Sequence, residues 1–128
     1  MKPSNANFEE NSYENFEQSL DGKSVVIFGA GRAGKLAYDD VRGITKILYF
    51  IDNNPWLWKT EFQGLIIKPP NNLKNEDTDN IVVLITTTDV FSAENQLLEY
   101  GIKHYYSYLM FFDRLMNIYD RIAIDLTL

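Results

Sequence analysis

Apolar residues in this chain gather into short unbroken runs, separated by polar turns and by stretches with helical spacing. Val25-Val26-Ile27-Phe28, Ile47-Leu48-Tyr49-Phe50-Ile51 and Ile81-Val82-Val83-Leu84-Ile85 are too short for helices and show no alternation. Such runs are expected of strands buried on both faces. Gly64–Ile67 predicts a shorter strand stopped by Lys68-Pro69-Pro70, and Ile102–Tyr106 a fifth. Between these runs, Arg32–Arg42 places Leu36, Ala37 and Val41 at helical spacing, with Gly43 as the cap. A second helix follows Thr86-Thr87-Thr88-Asp89, a cluster suited to capping, and runs through Leu97 and Leu98 to Gly101. In front, Phe8, Tyr13, Phe16 and Leu20 leave a weak helical stripe that Asp21-Gly22 ends. At the far end, Tyr108–Ile124 places Leu109, Phe112, Leu115, Met116, Tyr119 and Ile122 along one side. Trp56–Gln63 reads as irregular or a short helix, Asn71–Asn80 as polar with room for one helical turn, and residues 1–7 as disordered.

Strands alternating with helices, each strand apolar throughout, predict an α/β fold: a parallel sheet covered on both faces. Right-handed crossovers make it doubly wound. At 128 residues the chain has room for one core. The expected division is a leading polar segment and helix over 1–22, the sheet domain over 23–107, and a terminal helix with an apolar tail over 108–128.

The first strand runs directly into Gly29-Ala30-Gly31-Arg32-Ala33-Gly34, and the helix opens on this loop. That is the G-x-G-x-x-G spacing of a dinucleotide-binding turn. Gly29 permits the tight turn, Gly31 lets a diphosphate approach the backbone, and Gly34 lets the helix lie close on the sheet. Asp52 closes the second apolar run, where a carboxylate can accept a hydrogen bond from a ribose 2′-hydroxyl and disfavour a phosphate at that position. It also starts the turn Asp52-Asn53-Asn54-Pro55. Arg32 and Lys35 sit in the first turn of the helix, where positive charge opposes the macrodipole unless an anion is bound. NAD is therefore the ligand that the loop and its acid favour, held by Gly29, Ala30, Gly31, Arg32, Ala33, Gly34, Asp52 and Asn53. Thr86 and Thr87, where another strand meets the same crevice, could bond a ribose or a sugar, although capping is the commoner use of such a cluster.

Charge and composition narrow the partners. The formal net charge is −6 with the basic residues scattered, which argues against a nucleic-acid partner. No apolar run reaches the roughly 18 residues of a membrane span. The absence of cysteine removes disulfide and thiolate chemistry and makes the cytoplasm the expected compartment. Trp56 and Trp58 are expected to pack at the sheet edge, with stacking on a base as the alternative. His104 is the single histidine and has no acid beside it in sequence, so neither a general base nor a metal centre stands out. The sequence offers a binding site without an evident reaction centre.

The runs Lys23-Ser24-Val25-Val26-Ile27-Phe28-Gly29-Ala30-Gly31-Arg32-Ala33-Gly34 and Tyr49-Phe50-Ile51-Asp52-Asn53-Asn54-Pro55 resemble the Rossmann-like domain of bacterial surface-polysaccharide enzymes. That domain precedes the catalytic part of capsule-type nucleotide-sugar dehydratases and epimerases and accompanies FkbM-type methyltransferases. The resemblance runs from about Lys23 to Met110. It implies binding of NAD, a nucleotide sugar or a CoA-like ligand, matches Gly29, Gly31 and Gly34 to the phosphate loop, and matches Asp52 to the ribose acid. The Tyr-x-x-x-Lys pair of the short-chain enzymes is missing, since Tyr38 is followed by Arg42 at that spacing. The expected function is thus a binding domain that is non-catalytic alone and linked to nucleotide-sugar biosynthesis. The apolar tail Ile122–Leu128 fits a contact with a missing catalytic domain or with a second copy in a homo-oligomer. The alternatives are a small NAD-dependent oxidoreductase or dehydratase with a site shared between subunits, using Thr87 or His104, and a nucleotide or redox sensor.

Overall fold

The computed structural model describes residues 11–111. In chain order the elements are α1 (Tyr13–Ser19), β1 (Ser24–Phe28), α2 (Arg32–Val41), β2 (Ile47–Ile51), β3 (Glu61–Phe62), β4 (Leu65–Lys68), β5 (Ile81–Ile85), α3 (Val90–Glu99) and β6 (Tyr105–Ser107). Short 3₁₀ turns occupy Pro55–Leu57 and Pro70–Asn75, and residues 108–111 are helical. The strands form one sheet in the order β3-β4-β2-β1-β5-β6. β1 pairs in parallel with both β2 and β5, and β4 and β6 continue the parallel sheet outward. β3 alone is antiparallel. The chain builds outward from β1 through β2 and β4, then crosses to β5. This reversal creates a crevice at the carboxyl ends of β1 and β5.

The continuous apolar runs have two faces to fill. Val25, Ile27, Phe50, Val82 and Leu84 point to one side and meet Ala37 and Val41 of α2, Phe16 of α1 and Leu20 just after it. Val26, Phe28, Tyr49, Ile51, Val83 and Ile85 point to the other and meet Ala93 and Leu97 of α3 and Leu73. Each fully buried aliphatic or Phe side chain among them contributes about 1.5–3 kcal/mol. On the first face, Phe16 and Phe111 both stack edge-on against Tyr13, and Phe16 against Tyr106, with centroids 5.6–5.8 Å apart. Tyr108 donates its hydroxyl to Asp40 on α2. The architecture is the expected doubly wound α/β sheet in a single small domain.

Four local expectations change. Trp56–Gln63 contains the 3₁₀ turn and β3, which folds back on β4 through Gln63 and Gly64, both at positive φ (54° and 77°). Two consecutive left-handed residues make a tight hairpin of the primed type. Lys68, expected to stop the strand, is its last residue, paired with Ile51. Gly43 is not a left-handed cap: α2 ends one residue earlier, where Arg42 N–H bonds to the Tyr38 carbonyl at 3.0 Å. β6 begins at Tyr105 rather than Ile102, and its Ser107 backbone is held by the Asn11 amide, which donates to the carbonyl at 3.0 Å and accepts from N–H at 2.7 Å. The expected start of the leading helix at Phe8 and the terminal pattern through Phe112, Leu115, Met116, Tyr119 and Ile122, with the apolar tail, lie outside the described residues.

Candidate functional site

β1 ends at Phe28 and the chain turns on Gly29, whose φ of +116° strains any residue with a side chain. A Cβ there would also collide with Thr86 Oγ1. Gly34, in the first turn of α2, faces back on the same loop, and a Cβ would run into the Gly29 carbonyl oxygen. Gly31 differs from both. Its backbone is extended (φ −119°, ψ −157°), and no heavy atom lies within 4 Å of where a Cβ would sit. Packing requires glycine at Gly29 and Gly34 but not at Gly31.

No side chain caps α2. Its first helical bond is Lys35 N–H to the Gly31 carbonyl at 3.0 Å, so the amides of Arg32 and Ala33 precede the ladder and have no acceptor within the helix. They carry the positive end of the helix macrodipole. Arg32 is exposed beside them. Lys35, expected to serve the same anion, is paired with Asp39 one turn along at 3.1 Å, and both are well exposed.

β2 delivers Asp52 to the other lip of the crevice. Its Oδ2 accepts from Ala30 N–H at 2.9 Å and its Oδ1 from Asn54 N–H at 2.8 Å. The carboxylate therefore starts its own turn and fastens the glycine loop to β2 at the same time. Each oxygen keeps a further lone pair for a ligand hydroxyl. The Trp58 indole donates to the Asp52 carbonyl at 2.6 Å and packs against the core as expected. Trp56 does not pack and is 88% exposed.

The fastening from the other side comes from β5. Thr86 is buried, and its hydroxyl donates to the Phe28 carbonyl at 2.8 Å, with the Gly29 carbonyl at 3.2 Å. The Thr87 hydroxyl oxygen is buried with no hydrogen-bond partner among the described residues. Neither threonine caps α3. That role falls to Asp89, whose carboxylate accepts from Ser92 N–H at 3.1 Å and from its hydroxyl at 2.7 Å.

Asn53 and Gln96 of α3 form a contact that sequence alone does not reveal, since 43 positions separate them. Asn53 Nδ2 donates to Gln96 Oε1 at 3.0 Å, and Gln96 Nε2 returns a bond to Asn53 Oδ1 at 2.7 Å. The amide pair spans from the β2 lip to the helix beyond β5.

His104 lies at the amino end of β6, whereas the loop and Asp52 lie at carboxyl ends of strands. Burial, and then Lys23, lower its imidazole pKa. Among the described residues no group of three or more His, Cys, Asp or Glu is placed to hold a metal. None of their helices is long and apolar enough to cross a membrane.

Comparison with solved structures finds the same fold in proteins of several kinds. A Rex-family repressor, RSP, superposes with a TM-score of 0.60 at 16% identity over 90% of this chain and 67% of its own. It has also been solved with NADH, and with NAD+ and operator DNA, so this likeness lends no support to the expected exclusion of nucleic acid. The UDP-D-quinovosamine 4-dehydrogenase of Vibrio fischeri is 26% identical, with a TM-score of 0.53 over 64% of this chain and 75% of that one. Methyltransferase FkbM of Methylobacillus flagellatus KT is 14% identical, with a TM-score of 0.57 over 77% of this chain and 28% of that one. No curated protein matches. Residues 21–106, which carry the glycine loop, Asp52 and all six strands but the end of β6, match the C2185-like N-terminal family. The chain belongs to the C2185-like N-terminal family, and its fold is Rossmann-like.

Proposed function

We propose that this domain binds a nucleotide-bearing ligand, NAD first and a nucleotide sugar second, in the crevice where β1, β2 and β5 end. The observation that carries the reading is Gly31. A turn kept only for packing needs Gly29 and Gly34, yet the chain also leaves open the one position over which a diphosphate would lie. The amides of Arg32 and Ala33 and the helix dipole suit its charge. Asp52 suits the ribose hydroxyls, and its negative charge disfavours the extra phosphate of NADP. The fold shared with a repressor solved with NADH and with a nucleotide-sugar dehydrogenase is compatible with either ligand.

The domain acts as a binding module of surface-polysaccharide biosynthesis rather than as an enzyme by itself. The crevice collects backbone amides, one carboxylate, the exposed Arg32 and neutral side chains, and His104 lies at the other end of the sheet. Calorimetric titration with NAD, NADH, NADP and UDP-sugars tests the reading, with Gly31→Leu as the control. Saturable binding of NAD or a UDP-sugar that Gly31→Leu abolishes, while its unfolding midpoint stays near wild type, is the expected result. Failure of every nucleotide to bind would reject it.

A further inference from the structure

The amide pair between Asn53 and Gln96 has no task in holding the loop. Gly29 is set by Thr86 and by the bond of its N–H to the Ile51 carbonyl at 2.7 Å, and Ala30 by Asp52. The pair instead joins the turn after β2, one residue past Asp52, to α3, the helix that follows β5. A ribose held through its 2′-hydroxyl by Asp52 has its base on the adjoining carbon, so the base leaves the sugar beside Asp52, in the neighbourhood of Asn53.

We propose that Gln96 reads this base, exchanging the Asn53 amide for the donor–acceptor edge of an adenine. The inference rests on the nucleotide reading above. Three features support it. Gln96 already presents a neighbouring donor and acceptor in one plane, the pattern that amides use to bond adenine through its amino group and adjacent ring nitrogen. Its orientation is set by a third contact, because Nε2 also donates to the Tyr100 hydroxyl at 3.2 Å while Oε1 accepts from Asn53. The partner it must release is easily replaced: Asn53 is exposed, and a solvent-exposed hydrogen bond is exchanged at little net cost. Asn53 is thus a placeholder for the base, and Gln96 the residue that distinguishes one base from another.

This assignment makes the two halves of the pair act in opposite directions. Asn53→Ala removes the competitor and tightens NAD by a few-fold, whereas Gln96→Leu removes the reader and weakens NAD by about five- to tenfold. Calorimetry on the full chain compares NAD with nicotinamide hypoxanthine dinucleotide, whose base carries an oxo acceptor in place of the amino donor, so that the edge read by Gln96 presents two acceptors. Wild type is expected to prefer NAD, Asn53→Ala to keep the preference, and Gln96→Leu to bind both equally. A purely structural strap would make both variants weaken binding alike with the base preference unchanged, and that outcome overturns the assignment. Binding of UDP-sugars in place of NAD also overturns it while leaving the nucleotide reading standing. Absence of binding by any nucleotide overturns both.

Discussion

At the scale of single residues, the loop separates demands that a motif merges. Gly34 and Gly29 are held to glycine by protein atoms, and Gly31 by none. Gly34→Ala should therefore lower stability by about 1–3 kcal/mol, the range for overpacking a tight contact. Gly31→Ala should stay within about 0.5 kcal/mol of wild type, as surface substitutions usually do. Urea unfolding distinguishes them, and equal losses at the two positions would reject the division. Asp52 resists so clean a separation. Because its carboxylate also receives the Ala30 and Asn54 amides, Asp52→Ala removes two backbone partners together with any ligand contact. Asp52→Asn keeps an acceptor oxygen and removes the charge. It should hold the loop better than Asp52→Ala, and NADP, no longer repelled by a carboxylate, should bind closer to NAD. Paired calorimetric and thermal unfolding curves for the two variants measure this, and a variant Asp52→Asn that still rejects NADP as wild type does would count against the charge argument.

At the scale of elements, the central strands were readable because burial on both faces leaves an unbroken apolar run, and little else produces one. The glycine loop and Asp52 were readable because their chemistry is local to a turn. The β3–β4 hairpin was not, for two reasons. Glu61–Phe62 is too short to show a period, and Gln63 is a poor advertisement for a left-handed turn. The bond that Thr86 makes is not legible, because its long-range partner, the end of β1, is 58 positions away. Gln96 was missed for the same reason. The hairpin therefore carries an avoidable strain at Gln63, where φ is +54°. Gln63→Asn substitutes a residue that tolerates this region and should stabilise the domain by about 0.5 kcal/mol, within the usual gain of turn optimisation. A lower unfolding midpoint would show that the Gln63 side chain contributes something the backbone geometry does not. The β6 edge behaves differently. Asn11 is buried and satisfies both Ser107 backbone groups. Asn11→Ala leaves them without that partner and should cost about 1–3 kcal/mol, with hydrogen exchange at the Ser107 amide rising first.

At the scale of the whole molecule, proton linkage draws the limits of stability from groups far apart in the fold. Burial and Lys23 hold the His104 pKa below its ordinary 6.5. The unfolded chain therefore takes up this proton at a higher pH than the folded one, so stability is full above that value and declines as pH falls through it. Tyr49 and Tyr108 set the other limit. Burial first, then Glu76 for Tyr49 and Asp40 for Tyr108, keep their hydroxyls protonated well above the usual 10.0. There the unfolded chain releases protons that the folded chain retains, and stability declines as pH rises past about 10. The two losses come from different places: His104 lies at the amino end of β6, and the tyrosines lie on opposite faces of the sheet. They should therefore be removable one at a time. His104→Asn should flatten the shoulder just below pH 6.5 and leave the alkaline decline in place. Tyr49→Phe should reduce the alkaline decline, while giving up the 2.6 Å bond to Glu76 throughout the plateau. Urea midpoints measured from pH 5 to 11 read both limits in one series. An acid shoulder unchanged in His104→Asn would assign that limit to the carboxylates, and an alkaline limit unchanged in Tyr49→Phe would leave it to Tyr108 and to Tyr13, whose hydroxyl is also raised by burial and then by Glu17 and Asp40.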